Sequence, residues 1–271
     1  NIIVGGYGSD SITTGTGNDK ILGDHGALHY LADGKLDNLE SISEETGGDD
    51  QIITDGGDNW IFGGVGEDRI ETGSGEDVVL GDVGTLRVDS AGNLLRIWSG
   101  QTAVGGKDQI VVLGGMNLIM GGYGADTITT GDGNDIIFGD DGEMKYTDGI
   151  LQTLTSIQYE NGGDDTITTS AGNNIIVGGY GSDSITTGTG NDKILGDHGA
   201  LHYLANGKLD NLETISEETG GDDQIITDGG DNWILGGVGE DRIETGSGED
   251  VVLGDVGTLR VDSAGNLLRI W

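Results

Sequence analysis

Apolar residues recur singly and at a fixed interval along this chain. An Ile or Val stands two places after an Asp or Asn, and the pair returns every nine residues: Ile12 and Ile21, then Ile52, Ile61, Ile70 and Val79, and onward to Val252. The polar partners run in blocks: Asp10 and Asp19; Asp50, Asn59, Asp68 and Asp77; Asp108, Asn117, Asp126 and Asp135; Asp165, Asn174, Asp183 and Asp192; Asp223, Asn232, Asp241 and Asp250. A glycine lies two residues before each. Such regularity belongs to a stacked coil, in which every turn presents the same groups to the next. Glycines at the first, second and fourth places admit backbone conformations closed to other residues, so they make a tight loop. The Asp ends that loop, and the next three residues form a short strand with the apolar side chain in the middle. Two half-turns make a coil of about eighteen residues, stacked at the strand spacing of roughly 4.8 Å. The fold class is therefore all-β: a parallel β-roll or β-solenoid with glycine-rich loops.

The rhythm is interrupted by longer segments that each open with Gly-Asp-x-Gly, at Gly23, Gly81, Gly139 and Gly196. In the first, Leu28 and Tyr30 are followed by a turn at Ala32-Asp33-Gly34-Lys35 and then by Leu36, Leu39 and Ile42. The second repeats this with Leu86 and Val88, a turn at Ser90-Ala91-Gly92-Asn93, then Leu94, Leu95 and Ile97. Two apolar stretches around a glycine turn read as a hairpin. Its strands can form a longer coil, one in each sheet, or project sideways as an arm. The longer coil is favoured at this point, since both ends of the insertion then fall on one side of the stack. Four nonapeptides plus one insertion form a unit, and the units 1–58, 59–116, 117–173, 174–231 and 232–271 read as one continuous array. Three coils per unit would give a rod ~70 Å long. Residues 174–271 repeat residues 1–98 with only Asp33/Asn206, Ser41/Thr214 and Phe62/Leu235 changed.

Gly5 to Thr13, Gly63 to Glu71, Gly121 to Thr129 and Gly178 to Thr186 carry Gly-Gly-x-Gly-x-Asp-x-Ile-x. The chain thereby resembles the RTX, or haemolysin-type, repeat proteins, whose calcium-binding parallel β-roll has this signature. The resemblance implies calcium ions between stacked loops, held by Asp carboxylates and glycine carbonyls. Carried over position by position, it marks Asp10, Asp19, Asp50, Asp68, Asp77, Asp108, Asp126, Asp135, Asp165, Asp183, Asp192, Asp223, Asp241 and Asp250, to which the Gly-Asp loops add Asp24, Asp82, Asp140, Asp197 and Asp255. The loops alternate between two edges of the stack. One edge carries the Gly-Gly-x-Asp, Gly-Gly-x-Gly-x-Asp and Gly-Asp loops and is expected to be richer in calcium. The other alternates Asp with Asn, as at Asn59, and Asn either weakens a site or leaves it to a hydrogen bond.

Composition adds an independent argument. The chain has 48 acidic against 12 basic residues, a net charge of -36, 56 Gly, no Pro and no Cys. Two carboxylates ~4 Å apart repel by roughly 4 kcal/mol at an effective dielectric near 20. Oxygen-rich ligand sets select calcium, and a site at ten times Kd contributes ~1.4 kcal/mol. Ten such sites would match the whole stability of an ordinary domain.

Other chemistry is thin. His25 and His29, repeated as His198 and His202, are spaced as a helical metal pair but fall in an insertion, where exposed residues are expected. Ser74 and Ser247 stand in Gly-Ser-Gly loops, not in a nucleophile elbow, so no catalytic residue and no enzyme activity is read. Basic residues look dispersed, which argues against a nucleic-acid groove. No apolar run reaches membrane-spanning length. Trp60, Trp98, Trp233 and Trp271 recur with the period, which points to core or stacking contacts before a carbohydrate platform.

Three functions fit these features. The first is a structural rod, stiffened by calcium, within a long secreted or surface protein such as an adhesin extender or a filament. Its partners would be calcium and neighbouring or flanking repeats. The second is the calcium-triggered tail of a secreted enzyme or toxin. The third is an ice-binding face, suggested by Thr-Gly-Thr-Gly-Asn-Asp at 14–19 and 187–192, but the rank of Thr16 becomes Ser74 and then Asp132. The chain starts within a loop and stops within an insertion, which reads as a window in a longer array. The resemblance implies an extracellular or cell-surface location, in bacteria, reached by type I secretion.

Overall fold

The computed structural model describes residues 1–42, 47–100, 105–158, 160–215, 219–262 and 264–271. These hold 29 strands and no helix, so no helix is long and apolar enough to cross a membrane. The strands form three layers. A ten-stranded parallel sheet lies in the middle, from Ile2–Val4 through Lys20–Leu22, Trp60–Phe62 and Val78–Leu80 to Val251–Asp255. A nine-stranded parallel sheet, from Ser11–Thr16 to Arg242–Glu244, covers one of its faces. A ten-stranded antiparallel sheet covers the other.

The nonapeptide accounts for the first two layers. Successive half-turns place their strands alternately in the middle and the outer sheet, and each strand pairs in parallel with its counterpart one coil on: Ile21 with Ile61, Ile52 with Ile70. The Ile and Val residues two places after Asp fill the space between these sheets as one buried column, including Ile21, Ile52, Ile61, Ile70, Val79 and Ile110.

The insertions are hairpins, and the longer-coil reading is corrected here. Gly26–Tyr30 pairs antiparallel with Leu36–Ser41, and Gly84–Val88 with Leu94–Ser99. They do not project as isolated arms either. Each hairpin pairs with the next, as Leu39 does with Leu86 and Ile97 with Met144, to build the third sheet. The spacing explains why this works. Each of the first four units contributes two strands to every layer, so hairpins and coils advance by the same distance along the axis. Two coils per unit, not three, give nine strand spacings from first to last, or ~43 Å, shorter than the ~70 Å expected.

A second core results. The middle strands read Lys-Ile-Leu, Trp-Ile-Phe, Val-Val-Leu and Leu-Ile-Met. Their central residue faces the Ile column and their flanking residues face the hairpins. Leu22, Phe62, Leu80, Met120 and Phe138 pack there against Leu39, Leu86, Ile97, Met144 and Leu154. Trp60 and Trp233 lean on this core, whereas Trp98 and Trp271 lie at the hairpin surface beneath Arg96 and Arg269. Neighbouring hairpins are joined by hydroxyls: Ser41 Oγ accepts Gly84 N–H at 2.6 Å, and Thr214 Oγ1 accepts Gly257 N–H at 2.8 Å.

Candidate metal-binding edges

Both loop edges are built from the same device. The Asp closing a loop accepts, through Oδ1, the backbone N–H of the Asp or Asn one coil earlier. On the first edge Asp50 N–H donates to Asp68 Oδ1, Asp68 N–H to Asp108 Oδ1 and Asp108 N–H to Asp126 Oδ1, each at 2.7 Å. The ladder runs from Asp10 through Asp165, Asp183 and Asp223 to Asp241.

The second carboxylate oxygen is treated differently. Oδ2 of Asp50, Asp68, Asp108, Asp126, Asp165, Asp183 and Asp223 is buried without a hydrogen-bond partner, as are those of Asp10 and Asp241. Each points into a cradle kept open by glycine. A methyl group added at Gly63 would overlap both Asp68 Oδ2 and the Gly81 carbonyl oxygen. At Gly121 it would meet Asp126 Oδ2 and Gly139 O, and at Gly23 Asp50 Oδ2 and Gly63 O. Carboxylate and carbonyl oxygens from successive coils thus converge on one point, the donor set of a hard cation. The loop depends on glycine geometry: Gly64 and Gly66 stand at φ of 123° and 131°, where a side chain is strained.

Burial raises the loop carboxyls of both edges, Asp77, Asp135 and Asp192 on the Asn-bearing edge included, and raises those of the first edge furthest. Burial, with the neighbouring Asp108 carboxylate, pushes Asp68 from 3.8 up to about 9. Burial and the charge of Asp183 do the same to Asp223. Burial also raises Asp108, Asp165 and Asp183 well above the usual carboxylate range, and brings Asp50 to about 6. A cation placed among these oxygens favours their ionised form.

The Gly-Asp loops bring Asp24, Asp82, Asp140 and Asp197 to this edge too, but with both oxygens engaged. Asp24 accepts Gly48 N–H at 3.3 Å and Val65 N–H at 2.6 Å. Asp82 accepts Gly106 and Tyr123, Asp140 accepts Gly163 and Tyr180, and Asp197 accepts Gly221 and Val238. These carboxylates clamp two loops and offer a cation only remaining lone pairs. Asp255, in the last middle strand, is exposed. Among the described residues no three His, Asp or Glu side chains converge on one point, so a cation here would depend on the glycine carbonyls.

The second edge is closed differently. Asn59 Oδ1 accepts Asp19 N–H, while its Nδ2 donates to Asp77 Oδ1 at 2.9 Å, to Gly57 O at 2.8 Å and to Thr54 Oγ1 at 3.2 Å. Asn117, Asn174 and Asn232 repeat the bond to Asp135, Asp192 and Asp250. At each Asn an amide nitrogen replaces the bare oxygen of the first edge, so bare oxygens stand only at every second loop: Oδ2 of Asp19, Asp77, Asp135 and Asp192 is buried without a partner. The Thr five places earlier completes the set at Asn59, where the Thr54 hydroxyl accepts from Nδ2, while burial raises Asp77 above the usual carboxylate range. A methyl at Gly75 or Gly115 would strike only the backbone of the loop below. Sequence reasoning missed Thr54, although a Thr five residues before Asp or Asn recurs at 14, 54, 72, 130, 169, 187, 227 and 245.

The histidines do not form a metal pair. His25 meets Tyr7 edge-on, with ring centres 3.9 Å apart, while His29 is exposed and meets Glu40 at 2.7 Å. His198, expected at the surface, is buried, which lowers its pKa to about 4. Basic residues are also less scattered than the sequence suggests: Arg87, Arg96, Lys145, Arg260 and Arg269 share one register row of the hairpin sheet.

Comparison with known proteins agrees with this geometry. A search of curated proteins found no match. The family model described as RTX calcium-binding nonapeptide repeat (4 copies) matches residues 1–27, 46–79, 113–143, 161–199 and 219–252, more than half of the chain. With its ladders of loop carboxylates and glycine carbonyls, the chain belongs to the RTX calcium-binding repeat family.

Proposed function

We propose that the chain is a calcium-stiffened rod segment of a long secreted or cell-surface protein, and that it folds when it meets calcium outside the cell. The observation that carries this reading is the first edge, where a file of buried carboxylate oxygens has no protein donor. A chain of charge -36 with those oxygens unmatched resists compaction, which suits export as an unfolded thread. Cations at Asp50, Asp68, Asp108, Asp126, Asp165, Asp183 and Asp223 relieve the repulsion coil by coil. Because each coil buries its Ile and Leu residues only against neighbours, order spreads along the array. Extracellular calcium modules work at about 10⁻⁴–10⁻³ M, so the transition belongs at the cell exterior. The all-Asp file on one edge and the Asn-neutralised file on the other support calcium concentrated along the first.

An ice-binding role is not supported by the register. The row that contains Thr16 continues as Gly56, Ser74, Gly114 and Asp132, so its hydroxyls are interrupted at every second coil. The rod reading is tested by circular dichroism of the 271-residue chain. The β signal is expected in millimolar calcium and lost in EGTA; an unchanged spectrum after chelation would refute it.

A further inference from the structure

The rod carries two charged files whose periods agree. The first is the exposed row of the hairpin sheet. From its first strand to its tenth it reads His29, Asn38, Arg87, Arg96, Lys145, Thr153, His202, Asn211, Arg260, Arg269. Five of the chain's 12 Lys and Arg residues lie in this single line. Arg96 and Arg269 lie over Trp98 and Trp271, with the guanidinium carbon 4.1 and 4.6 Å from the ring centre.

The second file runs along the outside of the Asn edge, beside the buried ladder. Its members are tied to one another by backbone-to-side-chain bonds: Asp58 N–H to Asn18 Oδ1, Glu76 N–H to Asp58 Oδ1, Asn191 N–H to Asn173 Oδ1 and Glu249 N–H to Asp231 Oδ1. Asp58, Glu76, Asp231 and Glu249 are exposed, and none makes an ion pair with a described residue.

Strand positions show the match. Asp58 and Glu76 precede the third and fourth strands of the middle sheet, and Asp231 and Glu249 precede the ninth and tenth. Arg87 and Arg96 lie on the third and fourth strands of the hairpin sheet, Arg260 and Arg269 on the ninth and tenth. Both files are neutral at the sixth and eighth positions, with Thr153 and Asn211 against Asn134 and Asn191. Lys145 has no acidic counterpart and meets Glu143 at 2.6 Å. Glu143 also pairs with Arg96, and Arg87 stands 3.8 Å from Asp37, so docking would exchange these intramolecular pairs for intermolecular ones, whereas Arg260 and Arg269 have no ion pair with a described residue. Each file therefore presents a charge pair every six strands, at the ~4.8 Å pitch of a β-stack.

We infer that the hairpin sheet of one rod docks on the Asn edge of a second copy, with Arg87 and Arg96 facing Asp58 and Glu76, and Arg260 and Arg269 facing Asp231 and Glu249. A flexible anionic polymer has no reason to carry this six-strand period; a second copy carries it by construction. The two files lie on different faces of one molecule, so the contact is heterologous and does not close on a dimer. Rods would add laterally into bundles. The inference rests on the rod reading, because calcium must first order the coils.

Light scattering of the 271-residue chain in millimolar calcium tests it, with circular dichroism recorded on each sample. At about 20 mM salt the wild-type mass should rise several-fold above that of one chain, and it should fall back at about 0.5 M salt, where exposed pairs are screened. The variant R87E/R96E/R260E/R269E should keep its β signal and remain a single chain. Adding D58K/E76K/D231K/E249K to it should restore association. A β-folded wild type that stays a single chain overturns the inference, as does undiminished association of the first variant or none by the compensated one. A wild type with no β signal in calcium overturns the rod reading itself.

Discussion

A single aspartate does two jobs in this molecule. Asp68 uses Oδ1 to hold the backbone of Asp50 and leaves Oδ2 bare beside the Gly81 carbonyl. Gly63 keeps that space open, so Gly63→Ala should remove one calcium equivalent and raise the calcium midpoint of folding; isothermal titration reads both. Asn59→Asp tests the opposite edge. It replaces the amide donor to Asp77 Oδ1 by a second buried acceptor, a loss of about 1–3 kcal/mol, so Tm in limiting calcium should fall. The pH response follows from the raised carboxyls. Asp68 and Asp223 lie near 9 in the fold against 3.8 for a free carboxyl. The folded state therefore binds more protons across that window, and calcium-free stability is greatest below about 4 and declines as pH rises toward 9. Circular dichroism of protein stripped of calcium beforehand and held in calcium-free buffer should show more β structure at pH 4 than at pH 8, and the reverse trend would contradict this. The Asp positions were legible in the sequence because they repeat. The division of labour between their oxygens was not, since it depends on which backbone N–H the next coil delivers. Asn59 left two readings open, and its contacts with Gly57, Thr54 and Asp77 favour the hydrogen-bonded one.

The strand triplets of the middle sheet are the elements on which the architecture turns. Trp-Ile-Phe and Leu-Ile-Met are apolar at every position, the mark of a strand covered on both faces. Ser-Ile-Thr-Thr and Arg-Ile-Glu-Thr in the outer sheet alternate, the mark of one wet face. That contrast was readable beforehand and assigns the hairpins their place, because a longer coil would leave Leu22, Phe62 and Leu80 facing water. The nine-residue rhythm drew attention to the central Ile alone. Phe62→Ala should cost about 3–5 kcal/mol, measured as Tm in saturating calcium, although Phe62 belongs to no loop. The differences between residues 1–98 and 174–271 respect the same elements. Ser41 and Thr214 both offer a hydroxyl to the next hairpin. Asp33 and Asn206 both accept the N–H of the turn lysine. Phe62 and Leu235 both fill the hairpin-facing core.

At the scale of the molecule, stiffness comes from three sheets that advance in step. Every two coils add about 9.6 Å, and the hairpin laid over them adds the same. Small-angle scattering in calcium should give an object ~43 Å along the stack; a length near 70 Å would return the insertions to the coil. The central claim is that cations replace missing donors along the all-Asp edge, whereas on the other edge an Asn amide stands in at every second loop. Anomalous diffraction from crystals grown with a calcium-mimicking lanthanide tests it most directly. The account predicts peaks between Asp68 Oδ2 and Gly81 O, and at the matching Asp and Gly pairs up and down the first edge, with none beside Asn59, Asn117, Asn174 or Asn232. Peaks of equal strength on both edges, or an ordered first edge without any, would contradict it.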